Sequence, residues 1–280
     1  MDASPRSNMS TDLRGGFSFR RRLVRRSLLS LSIALVLAPV SLAACGGSSQ
    51  GASDVVARVD ARPITRALLN HWTATFVRGD YYAVTRKKAP VGLASDPPDY
   101  GTCASAAKQV RSPTTTRPPL SEAQLREKCH VLYATVEREA LGYLITVLWS
   151  EGQAKERGYT ITAADVAERI AQTQRESYPG RGAFANYLVS KGWTRADLNV
   201  IVRRNLLEGE VLKTLEARAG KGSTSEGRLA SLLQENARKW TLKTSCSAGY
   251  VVEQCGQYKG GAPKTQSAAV IFEEMVGSAT

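Results

Sequence analysis

From Ser121 to Gly158 the chain carries one unbroken helical pattern, and a helix of that length dictates much of what must surround it. Ser121-Glu122-Ala123-Gln124 has the form of a capping box, in which the Ser hydroxyl accepts an orphan backbone N–H and Gln124 returns the favour. Leu125, Cys129, Leu132, Val136, Ala140, Tyr143, Leu144, Val147 and Leu148 then recur at steps of three and four, ending near Glu156-Arg157-Gly158. At 1.5 Å per residue the helix is roughly 50 Å long, so several other elements are needed to cover it. Between Leu141 and Trp149 it is apolar on most sides. That stretch reads as the centre of a core, with a face reserved for a partner as the alternative.

The remaining segments supply the cover. Val55-Val56-Ala57-Arg58-Val59-Asp60 is β-branched and reads as a short strand, and Ala61-Arg62-Pro63-Ile64 turns the chain. Thr65 caps a helix to about Tyr82 that groups Leu68, Leu69, Trp72, Phe76 and Val77. His71 in this helix reads as a partly buried or surface residue without a catalytic role. Residues 86–120 show Pro-rich punctuation and no periodicity, which predicts a long loop. Further helices are predicted from Thr162 to Tyr178, around Phe184–Val189, and from Thr194 through Leu215. Residues 219–225 form a linker, followed by a helix over about Glu226–Lys239 with Leu229, Leu232 and Leu233. Trp240–Thr244 and Tyr250–Val252 have strand composition, and Ala268–Met275 is expected to be a loose terminal helix. The fold class is therefore mainly α, with a small β element built from the N-terminal strand and the C-terminal strands.

The chemistry the sequence lacks is as informative as its pattern. The 280 residues include only two His, and no Gly-rich phosphate loop, HExxH, GxSxG or clustered carboxylate motif is present. No catalytic residue, no metal and no cofactor is expected. Pairs such as Glu137/Glu139 and Glu208/Glu210 alternate with Arg and apolar residues, as on a solvated helix face.

Residues 1–44 hold seven Arg against Asp2 and Asp12, a surplus of five out of a net charge of +13. This basic stretch, the uncharged run Ser27–Val40 and the small residues after it have the order of a secretory signal. Leu42-Ala43-Ala44-Cys45 resembles the bacterial lipobox, which implies diacylation of Cys45 and removal of the leader. Gly46–Ser53 would then be an uncharged tether. An uncleaved membrane anchor over Ser27–Ala44 is the alternative. Arg25-Arg26-Ser27-Leu28-Leu29 also resembles a twin-arginine export core. Either route places the body at the extracytoplasmic face of the cell membrane, lipid-anchored after cleavage. Outside the cytoplasm, and with the remaining +8 dispersed along the chain, nucleic acid is not the expected partner.

Setting Cys45 aside leaves Cys103, Cys129, Cys246 and Cys255, which permit three pairings. Neighbour pairing, Cys103 with Cys129 and Cys246 with Cys255, is the first choice in an oxidising compartment. A zinc site is the competing reading, but it lacks CxxC pairs and has only His130 beside a Cys.

Val55-Val56-Ala57-Arg58-Val59-Asp60-Ala61-Arg62-Pro63-Ile64-Thr65 resembles the opening of the SurA/PrsA-type extracytoplasmic foldases, usually "VAxVNGxPIT". The run from Leu144-Ile145 through Glu151-Gly152-Gln153-Ala154 to Gly158 and Thr162-Ala163-Ala164-Asp165-Val166 resembles their "LI…EAxxxGIxVSDAEV" segment. Phe184-Ala185-Asn186-Tyr187-Leu188 and Gly192-Trp193-Thr194 extend the likeness, which covers roughly residues 54–243. Ala61 departs from the family's turn Gly and implies a different turn. The resemblance implies a SurA N-terminal-like helical chaperone lobe that holds unfolded or partly folded exported proteins. Such a lobe is often joined to a parvulin prolyl-isomerase domain; only 55 residues follow Ser225 and none is His, so that domain is expected to be absent.

These readings divide the chain into a signal peptide (1–44), a tether (45–54), a helical chaperone-like domain (55–243, with loop 86–120 and linker 219–225) and a disulfide-closed arm and tail (244–280). The expected activity is that of a membrane-anchored holdase. Its rivals are a peptidyl-prolyl cis-trans isomerase using an unrecognised site and an envelope lipoprotein serving one dedicated protein partner. Trp72, Phe76, Tyr143, Leu144, Leu148 and Trp149, the large apolar groups of the two long helices, are the candidates for client contact.

Overall fold

The computed structural model of the chain describes residues 54–94, 100–111, 115, 118–261 and 266–277. The leader, Cys45 and nearly all of the tether lie outside the described residues, and the expectations attached to them lie there too.

Two short strands open the fold, β1 (Val55–Val59) and β2 (Arg62–Thr65), paired antiparallel. Asp60 takes a φ of 55° at the turn. Asp tolerates that left-handed conformation, so the turn is made without a Gly at Ala61. Thr65 then accepts from the Leu68 amide and caps α1 (Arg66–Thr85).

Next comes α2 (Gly101–Val110), which corrects the long loop expected over 86–120. Its buried face consists of Cys103, Ala104, Ala106 and Ala107. Alanines give almost no hydropathy contrast, so the pattern is faint in the sequence. Burial against α3 (Glu122–Glu156), together with a disulfide from Cys103 to Cys129, holds it in place.

α3 begins with the capping box of Ser121 and Gln124 and runs for 35 residues. The capping boxes of Thr162/Asp165 and Thr194/Asp197 likewise open α4 (Ala163–Ser177) and, beyond α5 (Ala183–Lys191), α6 (Arg195–Ala219). After the linker come α7 (Ser225–Leu242) and β3 (Thr244–Cys246), then α8 (Ala268–Val276). The protein is mainly helical, with a three-stranded antiparallel sheet in the order β2-β1-β3.

The C-terminal region differs from the expected strands. Trp240–Leu242 is the last turn of α7, β3 is only three residues long, and Tyr250–Val252 is irregular. Trp240 faces inward from a helix, where bulk and apolarity serve as well as they would in a strand. Cys246 pairs across from Ala57 of β1 and is joined to Cys255 by the second disulfide. Nor is α8 loose: Ile271, Phe272 and Met275 are buried against α1, α2 and α3. Among the described residues, Cys246, Val252, Cys255 and α8 therefore share the core of the helices before them.

α3 passes through two of the three buried clusters. Its C-terminal half packs Leu141, Leu144, Ile145 and Val147 with Val56, Ile64, Leu69 and Trp72. Its N-terminal half packs Leu125, Leu132 and Val136 with α2 and α8. The third cluster, Val166, Ile170, Phe184, Leu188, Leu198 and Val202, joins α4, α5 and α6. Gly152 admits the Trp240 ring against α3, for a Cβ there would lie 2.0 Å from it.

Candidate functional site

The six side chains proposed for client contact are largely brought together, but as core. The Trp72 and Tyr143 rings meet tilted at 48° with centroids 4.7 Å apart, and the Phe76 ring lies 5.4 Å from that of Tyr143. Trp72, Tyr143 and Leu144 are 2%, 8% and 4% exposed, which corrects their assignment as a client surface. Phe76, Leu148 and Trp149 are partly buried against the same cluster. Trp149 also donates through Nε1 to Thr244 Oγ1 at 2.8 Å, and that hydroxyl donates to the Trp240 carbonyl at 2.8 Å. Their periodicity identified a buried stripe, and the β sheet, α1 and α7 cover it.

A seam of polar groups runs beside this core. His71 Nε2 lies 2.6 Å from Oδ1 of Asp197, whose other oxygen accepts from the Thr194 amide at 2.7 Å. Burial works against the charge of Asp197, yet the hydrogen bonds from His71 and Thr194 hold its carboxyl below the usual range. The His71 contact thus clamps α1 to the start of α6. Further along, the Arg204 guanidinium sits 5.1 Å from the centre of the Tyr143 ring and pairs with Glu208 at 2.8 Å, while Ser150 donates to Glu208 at 3.0 Å. On α1, burial and the neighbouring Glu139 push Asp80 up to about 7. The His71–Asp197 and Ser150–Glu208–Arg204 contacts hold helices together, whereas Asp80 is a buried group whose charge the fold disfavours. Among the described residues no group of three or more His, Cys, Asp or Glu is placed to hold a metal ion.

The open site is at the other end of α7. Its C-terminal half is anchored to α3: Asn236 donates to Gln153 at 2.7 Å, Lys239 and Lys243 reach Glu156 at 2.7 and 2.8 Å, and Trp240 is buried. Its N-terminal half has no such anchors. There an open cleft of about 600 Å³ lies between the end of α6 and the start of α7, lined by Arg218, Ser223, Thr224, Gly227, Arg228, Ser231, Leu232 and Glu235. Leu229 and Leu232 are half-buried, and Leu233 is exposed. Space remains at Gly227, where a Cβ would meet nothing within 4 Å. Neither Arg218 nor Arg228 has an ion-pair partner among the described residues.

Sequence reasoning missed this cleft. The signal for it was the linker at 219–225: a Gly-rich turn between two helices leaves their facing ends splayed unless bulky side chains fill the gap. Its lining offers guanidinium and hydroxyl groups, a carboxylate and an aliphatic side chain. Among the described residues no helix is long and apolar enough to cross a membrane. Compared with protein-family models, curated proteins and solved structures, the chain matches none.

Proposed function

We propose that this protein is a membrane-anchored extracytoplasmic holdase that grips extended segments of unfolded exported proteins in the α6–α7 cleft. The observation that carries the reading is the uneven burial of α7: one end is fixed to the core, while at the other Leu232 lines an open cleft and Leu233 is exposed. A volume of about 600 Å³ falls in the range of ordinary ligand sites and suits a few residues of extended chain. Contacts of that size give weak binding, which is what a holding function requires. The basic and apolar leader with Cys45, and the resemblance to SurA/PrsA-type foldases, support the location and the client class. Two acyl chains on Cys45 would anchor the protein stably where one would not.

The test is light scattering from an unfolded exported protein refolding in the presence of the full chain in nonionic detergent. Slower aggregation at near-stoichiometric ratios, with the cis-to-trans rate of a Pro peptide left at its uncatalysed value, is the expected outcome. Unchanged aggregation at tenfold excess would sink the holding reading. A catalysed Pro rate proportional to protein concentration would replace it with the isomerase, and one stoichiometric partner in a pull-down with a dedicated-partner lipoprotein.

A further inference from the structure

Two features of the α6–α7 cleft bear on what it prefers. The first is the state of its cations. Farther along α6 and α7 several charges are matched: Lys239 and Lys243 share Glu156, Lys213 meets Glu210, and Arg204 meets Glu208. Arg218 and Arg228, which line the cleft from α6 and α7, are left without an ion-pair partner among the described residues. The second is the order of groups along α7. Arg228, Leu232 and Glu235 line the same cleft, with Leu232 four residues and Glu235 seven residues beyond Arg228. At 1.5 Å per residue these steps are about 6 Å and about 10 Å. An extended peptide presents residues i and i+2 on one face, about 6.6 Å apart. A carboxylate and an aliphatic side chain two residues on therefore match the Arg and Leu positions, while Glu235 disfavours acid farther along.

Resting on the holding function above, we propose that the cleft selects extended segments in which one carboxylate is followed two residues later by an aliphatic side chain. Arg218 and Arg228 receive the carboxylate by charge-assisted hydrogen bonds, Leu232 receives the aliphatic group, and the Thr224 hydroxyl faces the peptide backbone. Because the contact is half electrostatic and open to solvent, its affinity falls with ionic strength.

The experiment is fluorescence anisotropy with the full chain in nonionic detergent and a labelled decapeptide of Gly, Ser and Thr containing one Glu-Thr-Leu. Replacing the peptide's Glu by Gln, or its Leu by Ser, should weaken binding on the order of tenfold, as should the protein variant R218Q/R228Q. The variant R175Q/R181Q, with the same charge change at exposed arginines outside the cleft, should bind as the parent does. Circular dichroism confirms that each variant is folded; all four arginine sites are exposed, so folding should persist. Equal binding of the Glu and Gln peptides, with aggregation still suppressed, would overturn the charge preference and leave the holding function standing. Absence of both peptide binding and aggregation suppression in the unaltered protein would overturn both. Decaglutamate binding as tightly as the Glu-Thr-Leu peptide would reduce the effect to bulk charge and end the proposal. Displacement of the peptide by soluble glycerophosphoglycerol at equal concentration would reassign the cleft to an anionic lipid headgroup.

Discussion

α3 and α7 both carry apolar residues at steps of three and four and meet opposite fates. α3 buries sixteen of its 35 residues, whereas α7 buries only Trp240 of its 18. α3 is covered from several sides by α1, α2, α6, α8 and the sheet. α7 lies on α6 and is bonded to α3 through Asn236 and Lys239 in its last two turns. An amphipathic stripe is thus a demand for cover, and topology decides whether it is met. Where it is met the helix supports the fold; where it is not, the stripe is left available for binding.

Four changes would break or sharpen this contrast. The largest effect belongs to the anchor of α7. Trp240→Ala removes a buried indole that Gly152 was shaped to admit, and should cost about 3–5 kcal/mol by chemical denaturation. A loss below 1 kcal/mol would mean that α7 is not tied to the core by this residue.

Next come the disulfides, each of which ties a peripheral piece to the main body. By loop-closure entropy the Cys103–Cys129 bridge, 26 residues apart, should contribute about 3–4 kcal/mol and the Cys246–Cys255 bridge, 9 apart, about 2–3. Paired Cys→Ala variants measured in urea should keep that order. The reverse order would show that the short bridge supports the sheet in ways chain entropy does not capture. Peptide mapping without reductant should recover the same two pairs.

Asp80 gives a pH-dependent effect in the densely covered region. Its folded pKa of about 7 lies above the unfolded value near 4, so the folded state holds a proton that the unfolded state gives up. Stability should therefore be undiminished by Asp80 below about pH 4, fall as pH rises toward 7, and then level off. Asp80→Asn removes the penalty and should stabilise by about 1–3 kcal/mol at pH 8, partial exposure reducing the full linkage figure, with little change at pH 4. Equal effects at both pH values would rule out titration of Asp80 as the cause.

The smallest stability effect is expected on the uncovered stripe. Leu233→Gln, at a side chain 42% exposed, should change stability by no more than about 0.5 kcal/mol while weakening aggregation suppression. A large loss of stability would mean that α7 is covered where it looks open.

Local signals were legible because they are written in adjacent residues. The boxes at Ser121, Thr162 and Thr194 each need only a hydroxyl and an acceptor three residues on, and each opens its helix as read. The mainly α class, the opening strand and the pairing of four cysteines in neighbours likewise follow from the sequence. α2 was missed because alanines carry too little contrast to mark a face, and Trp240 was read as strand because an aromatic suits either element.

The candidate site was misplaced for a different reason. Periodicity at Trp72, Tyr143 and Leu144 shows that a face is apolar but carries no information about what lies against it, and part of the cover comes from far along the chain, from Trp240 in the same cluster and from Thr244, 95 residues beyond the Trp149 it bonds. By itself, then, the sequence determined where helices start, which faces are apolar and which cysteines are near enough to join. Only the tertiary structure decided which apolar face stays open and which cations stay unpaired, since burial and charge pairing depend on neighbours in space.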